Sequence, residues 1–267
     1  EYQPLMGGNL REQMELARDL QKALSANQLE LYYQPKVDAQ SLQITAAEAL
    51  LRWHHPTRGM VSPVVFIPLA ERHGLIGAIG DWVLDESIRQ AAAWRDKGLR
   101  MRVAINVSAY QMRQDDFVTR LAQGLERHGL KPGRFTCEIT ESVAMENTAV
   151  TVEAFERLRS IGAHVSIDDF GTGHSSLSTL RRLPAAELKI DRAFVNDLSN
   201  GPDAISIVKA VVQMAHTLEL RVVAEGVETE AQRDLLVALG CDELQGYLFG
   251  EPCDAAAFGA VSSAPPR

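Results

Sequence analysis

Polar side chains that can bind metal ions or take part in hydrolysis recur along this chain, each near the end of a short apolar run. Asp168 and Asp169 are neighbours in the run SIDD, and Glu225 ends the run VVAE. The full series is Glu48, Asn106, Glu138, Asp168, Asp169, Lys189, Asp191, Glu225 and Gln245. Two carboxylates about 4 Å apart repel by about 4 kcal/mol at an effective dielectric constant of about 20. If these acids gather around the single lysine, their charge needs further compensation.

Two kinds of compensation are possible. Buried carboxyl groups can stay protonated, with strongly raised pKa values, or divalent cations can neutralise them. A set of Asp, Glu and Asn oxygens without histidine or cysteine favours hard cations such as Mg²⁺ or Mn²⁺. Two such metals in one site are typical of phosphoester hydrolysis. The alternative is that these acids are unrelated and merely start separate surface loops.

The elements that must position these residues alternate between apolar runs and helical patterns. Apolar runs are found at 30–36, 42–48, 101–107, 134–140, 163–169, 186–191, 220–225 and 241–247, and helical patterns at 8–26, 63–74, 79–97, 110–129, 146–160, 203–219 and 229–239. Alternating strands and helices predict a parallel sheet. About eight such units favour an α/β fold of the (β/α)₈ TIM-like barrel type, in which all strand ends meet at one rim. A doubly wound open sheet is the alternative, although no GxGxxG follows the first strand.

Local signals support several helix boundaries and three segments. Ser62-Pro63, Ser108 with Gln111, and Thr229 with Gln232 fit helix starts. We expect residues 1–27 to be a lead-in helix and linker from an upstream domain, residues 28–258 to be the barrel, and residues 259–267 to be a disordered tail.

The composition excludes some classes of function. The 267 residues carry a net charge of −8, and this acidic balance argues against nucleic-acid binding, which needs a basic footprint. No apolar run reaches 18 residues, so we expect no membrane contact by this segment. Cys137, Cys241 and Cys253 lack metal-type spacing and predict reduced thiols in a cytoplasmic protein; the alternative is the cytoplasmic part of a larger membrane-anchored one.

Seven segments together resemble the motif series of the EAL domain family. They are EALLRW (48–53), NVSAYQ (106–111), EITES (138–142), DDFGTGHSSL (168–177), LKIDR (188–192), AEGVET (224–229) and GCDELQGY (240–247). The resemblance runs from about residue 32 to residue 252. It implies a barrel whose first strand is antiparallel to the others. It also implies a phosphodiesterase that linearises cyclic di-GMP to 5′-pGpG by two-metal-assisted in-line attack of water.

The resemblance assigns roles to particular residues. The implied ligands of one metal are Glu48, Asn106, Glu138 and Asp168, and Asp168, Asp169 and Glu225 surround the second. The implied catalytic residues are Glu225, Lys189, Asp169 and Glu48. Glu225 is a general base, a metal ligand or both, and Lys189 holds the attacking water. The implied cofactors are two Mg²⁺ or Mn²⁺ ions, with Ca²⁺ expected to bind without supporting turnover.

Further residues are implied around this centre. The substrate-binding set is Gln34, Leu51, Arg52, Asp191, Glu228 and Gln245, and the loop and dimer-coupling set is Glu141, Gly171, Thr172, Gly173 and Ser175. Asp191 and Glu228 have structural alternatives, as a cap beside Arg192 and as a first-turn helix acid. His174 stands where the family usually has tyrosine, while every metal and base position is intact.

Two alternative functions are compatible with these residues. The chain could be a cyclic di-GMP receptor that binds without turnover. It could also be an aldolase that uses Lys189 as a Schiff base, but clustered carboxylates raise a lysine pKa and oppose that chemistry. The implied partners are an upstream sensor or diguanylate-cyclase-like domain and a second copy in a homodimer.

Overall fold

Eight strands close into a barrel in this computed structural model, which describes residues 10–146, 149–171 and 177–262. The strands in the described ranges are β1 (Leu29–Asp38), β2 (Ile44–His55), β3 (Gly59–Val61), β4 (Arg102–Asn106), β5 (Phe135–Thr140), β6 (His164–Phe170), β7 (Glu187–Ile190), β8 (Arg221–Ala224) and β9 (Glu243–Gln245). The order around the barrel is β1-β9-β8-β7-β6-β5-β4-β2, and pairing of β1 with β2 closes it. The short β3 adds to β2 outside the ring.

Helices surround this ring. In the described ranges they are α1 (Leu10–Ala23), α2 (Pro63–Arg72), α3 (Ile76–Asp96), α4 (Ala109–Met112), α5 (Phe117–Arg127), α6 (Glu141–Met145), α7 (Ala149–Ile161), α8 (Leu177–Leu180), α9 (Arg192–Asp197), α10 (Pro202–Thr217), α11 (Glu230–Leu239) and α12 (Ala255–Ser262). Two 3₁₀ turns span Pro132–Arg134 and Leu198–Asn200. In the described structure, no helix has the length and apolar character needed to span a bilayer.

The predicted barrel and its reversed first strand are both confirmed. β1 pairs antiparallel with β2 on one side and with β9 on the other. The pair β2–β4 and each successive pair from β4–β5 to β8–β9 are parallel. All strands except β1 and the outlying β3 therefore point their carboxyl ends at the same mouth. This is the condition that allows polar residues far apart in sequence to meet.

Alternation along each barrel strand separates an apolar outer face from a polar interior. In β5, Cys137 and Ile139 belong to the hydrophobic core, while the intervening Glu138 contacts charged groups of other strands. In β7, Leu188 joins the core and Lys189 points inward. Successive side chains of a strand point to opposite faces. The packed core therefore lies between the sheet and the helices, and the barrel interior is left for polar chemistry.

β2 extends further than the sequence predicts. The run 42–48 predicts a strand that ends at Glu48, yet β2 continues to His55 because Ala49–Trp53 pair antiparallel with Leu29–Tyr33 of β1. This two-stranded extension carries Leu51 and Arg52. The sequence could not show it, since the extension is stabilised by the partner strand and not by its own alternation.

The predicted helix starts are largely correct, with one interruption. Ser108 and Thr229 each form a complete capping box, and Ser62 precedes Pro63 without a side-chain cap hydrogen bond. The helix predicted over 110–129 is two helices, α4 and α5, separated by residues 113–116. Asp115 and Asp116 lie in that break, and aspartate disfavours helix interiors because its carboxylate competes for backbone donors.

The two ends of the described chain pack on the barrel. α1 lies within the lead-in predicted for residues 1–27, and His55 Nε2 lies 3.2 Å from the carboxylate of Asp19 on this helix. At the other end, residues 259–262 belong to α12, so the part of the predicted tail that the structure describes is helical. Phe258 of α12 is buried beside Tyr33 and Trp94.

Candidate metal and active site

Four acids from four strands of the ring meet at the carboxyl mouth of the barrel. The sheet register brings them together: Glu48 lies beside Ala104, and Asn106 lies beside Glu138. Asp168 lies on β6, next to β5, and Glu225 directly follows β8. The predicted convergence of the strand-end residues is therefore present.

Lys189 lies at the centre of this group. Its Nζ is 2.7 Å from Glu225 Oε1, 3.0 Å from Glu138 Oε2, 3.1 Å from Asp168 Oδ2 and 3.6 Å from Glu48 Oε2. The lysine side chain is 1% exposed. One ammonium thus contacts all four carboxyl groups but cannot by itself neutralise them when all four are ionised.

The carboxylates form two groups that share one residue. Oxygen atoms of Glu48, Glu138 and Asp168 lie within 4.8 Å of one another, and so do oxygen atoms of Asp168, Asp169 and Glu225. Such spacing allows each group to hold one cation through oxygen ligands. Asp168 is common to both groups, as expected of a bridging carboxylate.

A β-bulge explains how two adjacent aspartates face the same mouth. Strict alternation would send Asp168 and Asp169 to opposite faces of β6. The register between β6 and β7 shifts between Ile167 and Phe170, and Asp169 has φ +56°. The Asp169 N–H donates to Asp168 Oδ1 at 2.8 Å. Bulges of this kind re-aim side chains next to active sites, and a left-handed φ outside glycine is uncommon strain.

Burial and charge push the pKa values of these acids apart. Burial alone would raise the pKa of Glu48, but Lys189, Lys36 and hydrogen bonds from Gln245 and Asn106 lower it overall. Burial and the nearby Glu48 raise the pKa of Glu138 to about 7 despite two lysines. Burial likewise raises the pKa of Glu225, against the opposing effect of Lys189. The site therefore contains both a firmly ionised carboxylate and carboxyl groups that exchange protons near neutral pH.

The charge state of Lys189 bears on the aldolase alternative. Burial opposes its protonation, but Asp168, Glu138, Glu225 and Glu48 together raise its pKa well above the ordinary value. A Schiff-base lysine must instead be a neutral amine, with a lowered pKa. The geometry therefore disfavours an aldolase.

Neutral amides hold Glu48 in place. Asn106 Nδ2 donates to Glu48 Oε1 at 2.9 Å, and Gln245 Nε2 donates to Glu48 Oε2 at 2.6 Å. Gln245 Nε2 also donates to Gln34 Oε1 at 3.1 Å, and Gln34 reaches the carbonyl of Gly250. Gln245 Oε1 is buried and has no hydrogen-bond partner among the described residues. An unsatisfied buried acceptor beside an ionised carboxylate fits a site built to receive a cation or a donor group.

Lys36 is a charged residue of the interior that sequence reasoning missed. Its side chain is 1% exposed, and its Nζ contacts Glu138 Oε1 and lies 3.5 Å from Glu187 Oε1. The expected single lysine is therefore one of two. The sequence did contain a signal for Lys36, because residues two positions apart on a strand point to the same face. Gln34 and Lys36 on β1 are such a pair, and so are Glu187 and Lys189 on β7.

A cavity of about 450 Å³ opens beside the acidic cluster. Asn106 and Glu138 lie in its wall, as do the predicted substrate residues Leu51 and Arg52. Its apolar side comes from α2 and α3, including Pro63, Ile67, Ile76, Ile79 and Val83. The Arg52 guanidinium lies 5.4 Å from the centre of the Tyr32 ring. The cavity thus brings an apolar wall, the Arg52 guanidinium and the Glu138 carboxylate into one space.

Asp191 and Glu228 lie outside this cavity. Asp191 caps α9, where its Oδ1 accepts a hydrogen bond from the Ala193 N–H at 2.9 Å. Burial raises the pKa of Asp169, and the charges of Asp168 and Asp191 add to this effect. Glu228 is exposed just before α11. Contact of either residue with a substrate stays a prediction.

Glu141 ties the ends of two neighbouring strands together. This buried residue begins α6 after β5, and its Oε2 accepts a hydrogen bond from the Gly171 N–H at 2.7 Å. Gly171 follows β6 with φ +99°, and a Cβ there would lie 2.4 Å from the Phe194 ring. Thr172, Gly173 and Ser175 of the predicted coupling loop lie outside the described residues, so that role stays a prediction.

The donor set fits hard divalent cations. Each group offers three carboxylates, and Asn106 can add a neutral amide oxygen. The described histidines and cysteines are not part of either group, which disfavours a zinc site of the usual N and S ligands.

Comparison with known proteins agrees with this geometry. The sequence profile of the EAL domain matches residues 17–252. A bifunctional diguanylate cyclase/cyclic di-GMP phosphodiesterase of Pseudomonas aeruginosa, MucR, is 48% identical over 255 residues, which are 95% of this chain and 37% of that protein. The cyclic di-GMP phosphodiesterase PdeR of Escherichia coli is 40% identical over 257 residues, 96% of this chain and 39% of that protein.

A solved structure shows the same similarity. The PaMucR phosphodiesterase in complex with cyclic di-GMP has 48% identity and a TM-score of 0.88, with 91% of this chain and 99% of that chain covered. The chain spans less than two fifths of the length of the two curated relatives. From its sequence, its barrel and its acidic mouth, the chain belongs to the EAL domain family.

Proposed function

We propose that this chain is a cyclic di-GMP phosphodiesterase that produces linear 5′-pGpG in a reaction dependent on divalent cations. The observation that carries the proposal is the convergence of Glu48, Glu138, Asp168 and Glu225 around Lys189, next to a cavity with Arg52 in its wall. The names of the relatives MucR and PdeR, and the complex of PaMucR with cyclic di-GMP, point to the same substrate.

The cavity has features that suit a cyclic dinucleotide. Its apolar wall of Ile67, Ile76 and Val83 can cover one face of a purine, while Arg52 can pair with a phosphate through its planar guanidinium. Asn106 and Glu138 lie in the same wall. A phosphodiester held by Arg52 would therefore lie near the acidic cluster. Gln34, Gln245, Asp191 and Glu228 are proposed to add polar contacts at the rim.

The protein groups divide the proton and charge chemistry between them. Glu225 has a raised pKa and a partly exposed side chain, so it can accept the proton of an attacking water near neutral pH. The water oxygen then bonds to phosphorus as the bond to the ribose 3′-oxygen breaks, and that oxygen takes a proton from solvent. Lys189 stays protonated and stabilises the charge that develops on the phosphoryl oxygens.

The acidic groups are proposed to hold two cations, Mg²⁺ or Mn²⁺. Glu48, Asn106, Glu138 and Asp168 would hold one, and Asp168, Asp169 and Glu225 the other. Divalent cations bound there would lower the pKa of the attacking water and neutralise phosphoryl charge. Ca²⁺ is expected to bind to the same oxygens without supporting turnover.

The direct test is chromatography of cyclic di-GMP after incubation with the protein and Mg²⁺ or Mn²⁺. We expect 5′-pGpG from the wild-type chain, none with Ca²⁺, and a loss of at least about 10³-fold in Glu48→Gln, because this change removes an ionised ligand. Glu230→Gln, at an exposed acid on α11, is the matched control. Intact cyclic di-GMP that stays bound to the wild-type protein would instead identify a non-catalytic receptor.

The context of the domain is proposed on separate grounds. Since the chain spans only part of MucR and PdeR, we propose that it follows a sensor or diguanylate-cyclase-like domain in the full-length protein.

We propose a homodimer coupled to the site through Glu141, which accepts a hydrogen bond from the Gly171 N–H at the start of the loop after β6. Light scattering that finds a monomer at micromolar concentration would contradict the dimer. The three cysteines are free, which supports a cytoplasmic location.

A further inference from the structure

Lys36 holds a carboxylate of the proposed metal site from the side opposite Lys189. It lies on the antiparallel strand β1, two residues after Gln34, and its side chain is fully buried. Lys36 Nζ contacts Glu138 Oε1, while Lys189 Nζ lies 3.0 Å from Glu138 Oε2. The two oxygens of this one carboxylate therefore have different partners.

The two lysines differ in what else they contact. Lys189 reaches every carboxylate of the cluster, so a cation bound there would compete with it for the same oxygens. Lys36 reaches Glu138 and, at 3.5 Å, Glu187, which belongs to neither group of proposed ligands. Glu187 lies in turn 3.7 Å from Arg102. The contact of Lys36 with Glu138 therefore belongs to a network beneath the site.

Neutral or backbone donors fix the other proposed ligands of the same cation. Asn106 and Gln245 donate to Glu48, and the Asp169 N–H donates to Asp168. In the described structure, the hydrogen bonds to the Glu138 side chain come from the two lysines alone. If a cation takes the oxygen that faces Lys189, Lys36 is the group that still orients Glu138.

We propose that Lys36 is a positioning residue that fixes Glu138 as a ligand through one oxygen and leaves the other oxygen to the cation. The inference rests on the metal site of the proposed function and deepens it. Groups that hydrogen-bond to ligating side chains typically change metal affinity or activity by 10–100-fold. Lys36 supplies such a bond from β1, the strand that closes the barrel.

The experiment must separate position from charge, since removal of a buried cation alone makes the site more negative. The double variant Lys36→Met with Glu187→Gln removes one charge of each sign. The comparison variant Lys36→Gln with Glu187→Gln has the same formal charge and keeps an N–H donor at residue 36. Glu187→Gln alone is the control. Circular dichroism and thermal melts check each fold, and Lys36→Leu with Glu187→Met replaces the first double variant if it does not fold.

Calorimetric titration of each metal-free protein with Mn²⁺ is the readout. We expect the Met double variant to bind Mn²⁺ about 10–100-fold more weakly than the wild type, whose net charge it shares, and the Gln double variant to recover at least about fivefold of that loss. The same affinity in the Met double variant and in the wild type would overturn the proposal, and so would equal losses in the two double variants.

The outcomes separate this inference from the proposed function. A wild-type protein that binds Mn²⁺ but leaves cyclic di-GMP intact would refute the phosphodiesterase, while the calorimetric comparison would still test Lys36. A wild-type protein that hydrolyses cyclic di-GMP, with unchanged Mn²⁺ affinity in the Met double variant, would refute the role of Lys36 alone. Absence of any Mn²⁺ binding by the wild type would overturn the ligand assignment and this inference together.

Discussion

Lys189 is surrounded by more carboxyl groups than one ammonium group can neutralise. Four carboxylates surround its Nζ, and the side chain is almost fully buried. Burying a charge is costly unless partners surround it, and removal of one partner leaves the others uncompensated. Lys189 therefore stabilises the metal-free fold as well as serving the proposed reaction, and these two roles can be measured separately.

Lys189→Met should destabilise the metal-free protein by about 3–5 kcal/mol, the usual cost of breaking a buried ion pair. The pKa of Glu138 is raised to about 7, so protonation of this carboxyl relieves repulsion as the pH falls. A raised folded-state pKa adds stability at low pH, and this contribution is lost as the pH rises from the unfolded-state value through the folded-state value. Lys189 lowers the pKa of Glu138, so the Met variant has a still higher folded-state pKa and keeps losing stability at pH values where the wild type no longer does. We therefore expect a larger deficit at pH 8 than at pH 6 by urea unfolding.

The matched control for this prediction is Lys209→Met, at an exposed lysine on α10. Its effect on the free energy of unfolding should lie within about 0.5 kcal/mol of zero. An equal loss of stability in the two variants would mean that Lys189 is not held by its carboxylates. A deficit independent of pH would contradict the link to their protonation.

The sequence predicted the acids of the site because each stands near the end of an apolar run. Glu48, Glu138 and Asp168 need only the alternation of strands and helices to converge. Lys36, Glu187 and the buried Glu243 were missed, since Lys36 lies within β1 and the two glutamates begin β7 and β9, away from the carboxyl ends of the parallel strands. Their positions follow from period-two alternation, but only after the register of β1, β7 and β9 is known.

Close packing of backbone elements sets the position of Gln245. Gly246 follows β9, and a Cβ on it would lie 2.1–2.7 Å from backbone atoms of Val227 in the segment after β8. Val227 donates to the Gln245 carbonyl at 3.0 Å and accepts from Leu248 at 3.0 Å. Because the obstructing atoms are backbone, they cannot move aside as a flexible side chain would. Only glycine fits this contact.

Gly246→Ala should therefore destabilise the protein by about 3 kcal/mol, at the upper end of the usual cost of overpacking. Gly133→Ala is the matched control, since a Cβ there meets its nearest atom at 3.6 Å, an ordinary contact. Guanidinium unfolding of the two variants gives the comparison. Equal midpoints for Gly246→Ala and wild type would show that β9 and the segment after β8 separate more easily than the structure implies.

Helix α1 packs against the barrel domain through one apolar face. Leu16, Ala17 and Leu20 on one face are buried, and Arg58 Nη1 reaches Glu12 at 2.8 Å beyond the end of β2. Leu20→Ala should cost about 2–5 kcal/mol, because it leaves a cavity at a fully buried site. Met14→Ala, at a 47% exposed position of the same helix, should cost much less.

The measurement for α1 is thermal unfolding of both variants by circular dichroism. Similar melting temperatures for Leu20→Ala and Met14→Ala would contradict the packing described here. A clearly lower melting temperature for Leu20→Ala than for Met14→Ala would show that α1 belongs to the same folded unit as the barrel strands. The sequence predicted this helix from its spacing, but its docking on α2 depends on tertiary contacts.

Most of the elements that sequence patterns missed are short, although the eight-residue α12 was missed as well. β3, α6, α8 and α9 have three to six residues each, too few for a period to show. Tertiary contacts define them: β3 pairs with the extension of β2, and α9 begins at the cap formed by Asp191. These short elements surround the mouth, so the details of the site were harder to predict than the barrel itself.

The apolar core and the polar residues of the proposed reaction occupy different layers of the molecule. The apolar core lies between sheet and helices, while the interior of the barrel contains Glu138, Asp168, Lys36, Lys189 and Glu187. Such an interior is stabilised by ion pairs that are only partly balanced in charge. Ligands that bind the folded state alone raise its stability by mass action. Cations at the mouth should therefore act on the global unfolding equilibrium.

Mn²⁺ at about 100 times its dissociation constant should stabilise the fold by about 2.7 kcal/mol. For a protein of this size, that corresponds to a rise of about 5–10 °C in melting temperature, reversible by EDTA. Asp168→Asn should lose most of the rise, since Asp168 belongs to both carboxylate groups, whereas Glu153→Gln at an exposed position of α7 should retain it. Scanning calorimetry with and without Mn²⁺ measures the rise in melting temperature for each variant. An equal rise in Asp168→Asn and Glu153→Gln would place the stabilising cation away from the mouth of the barrel.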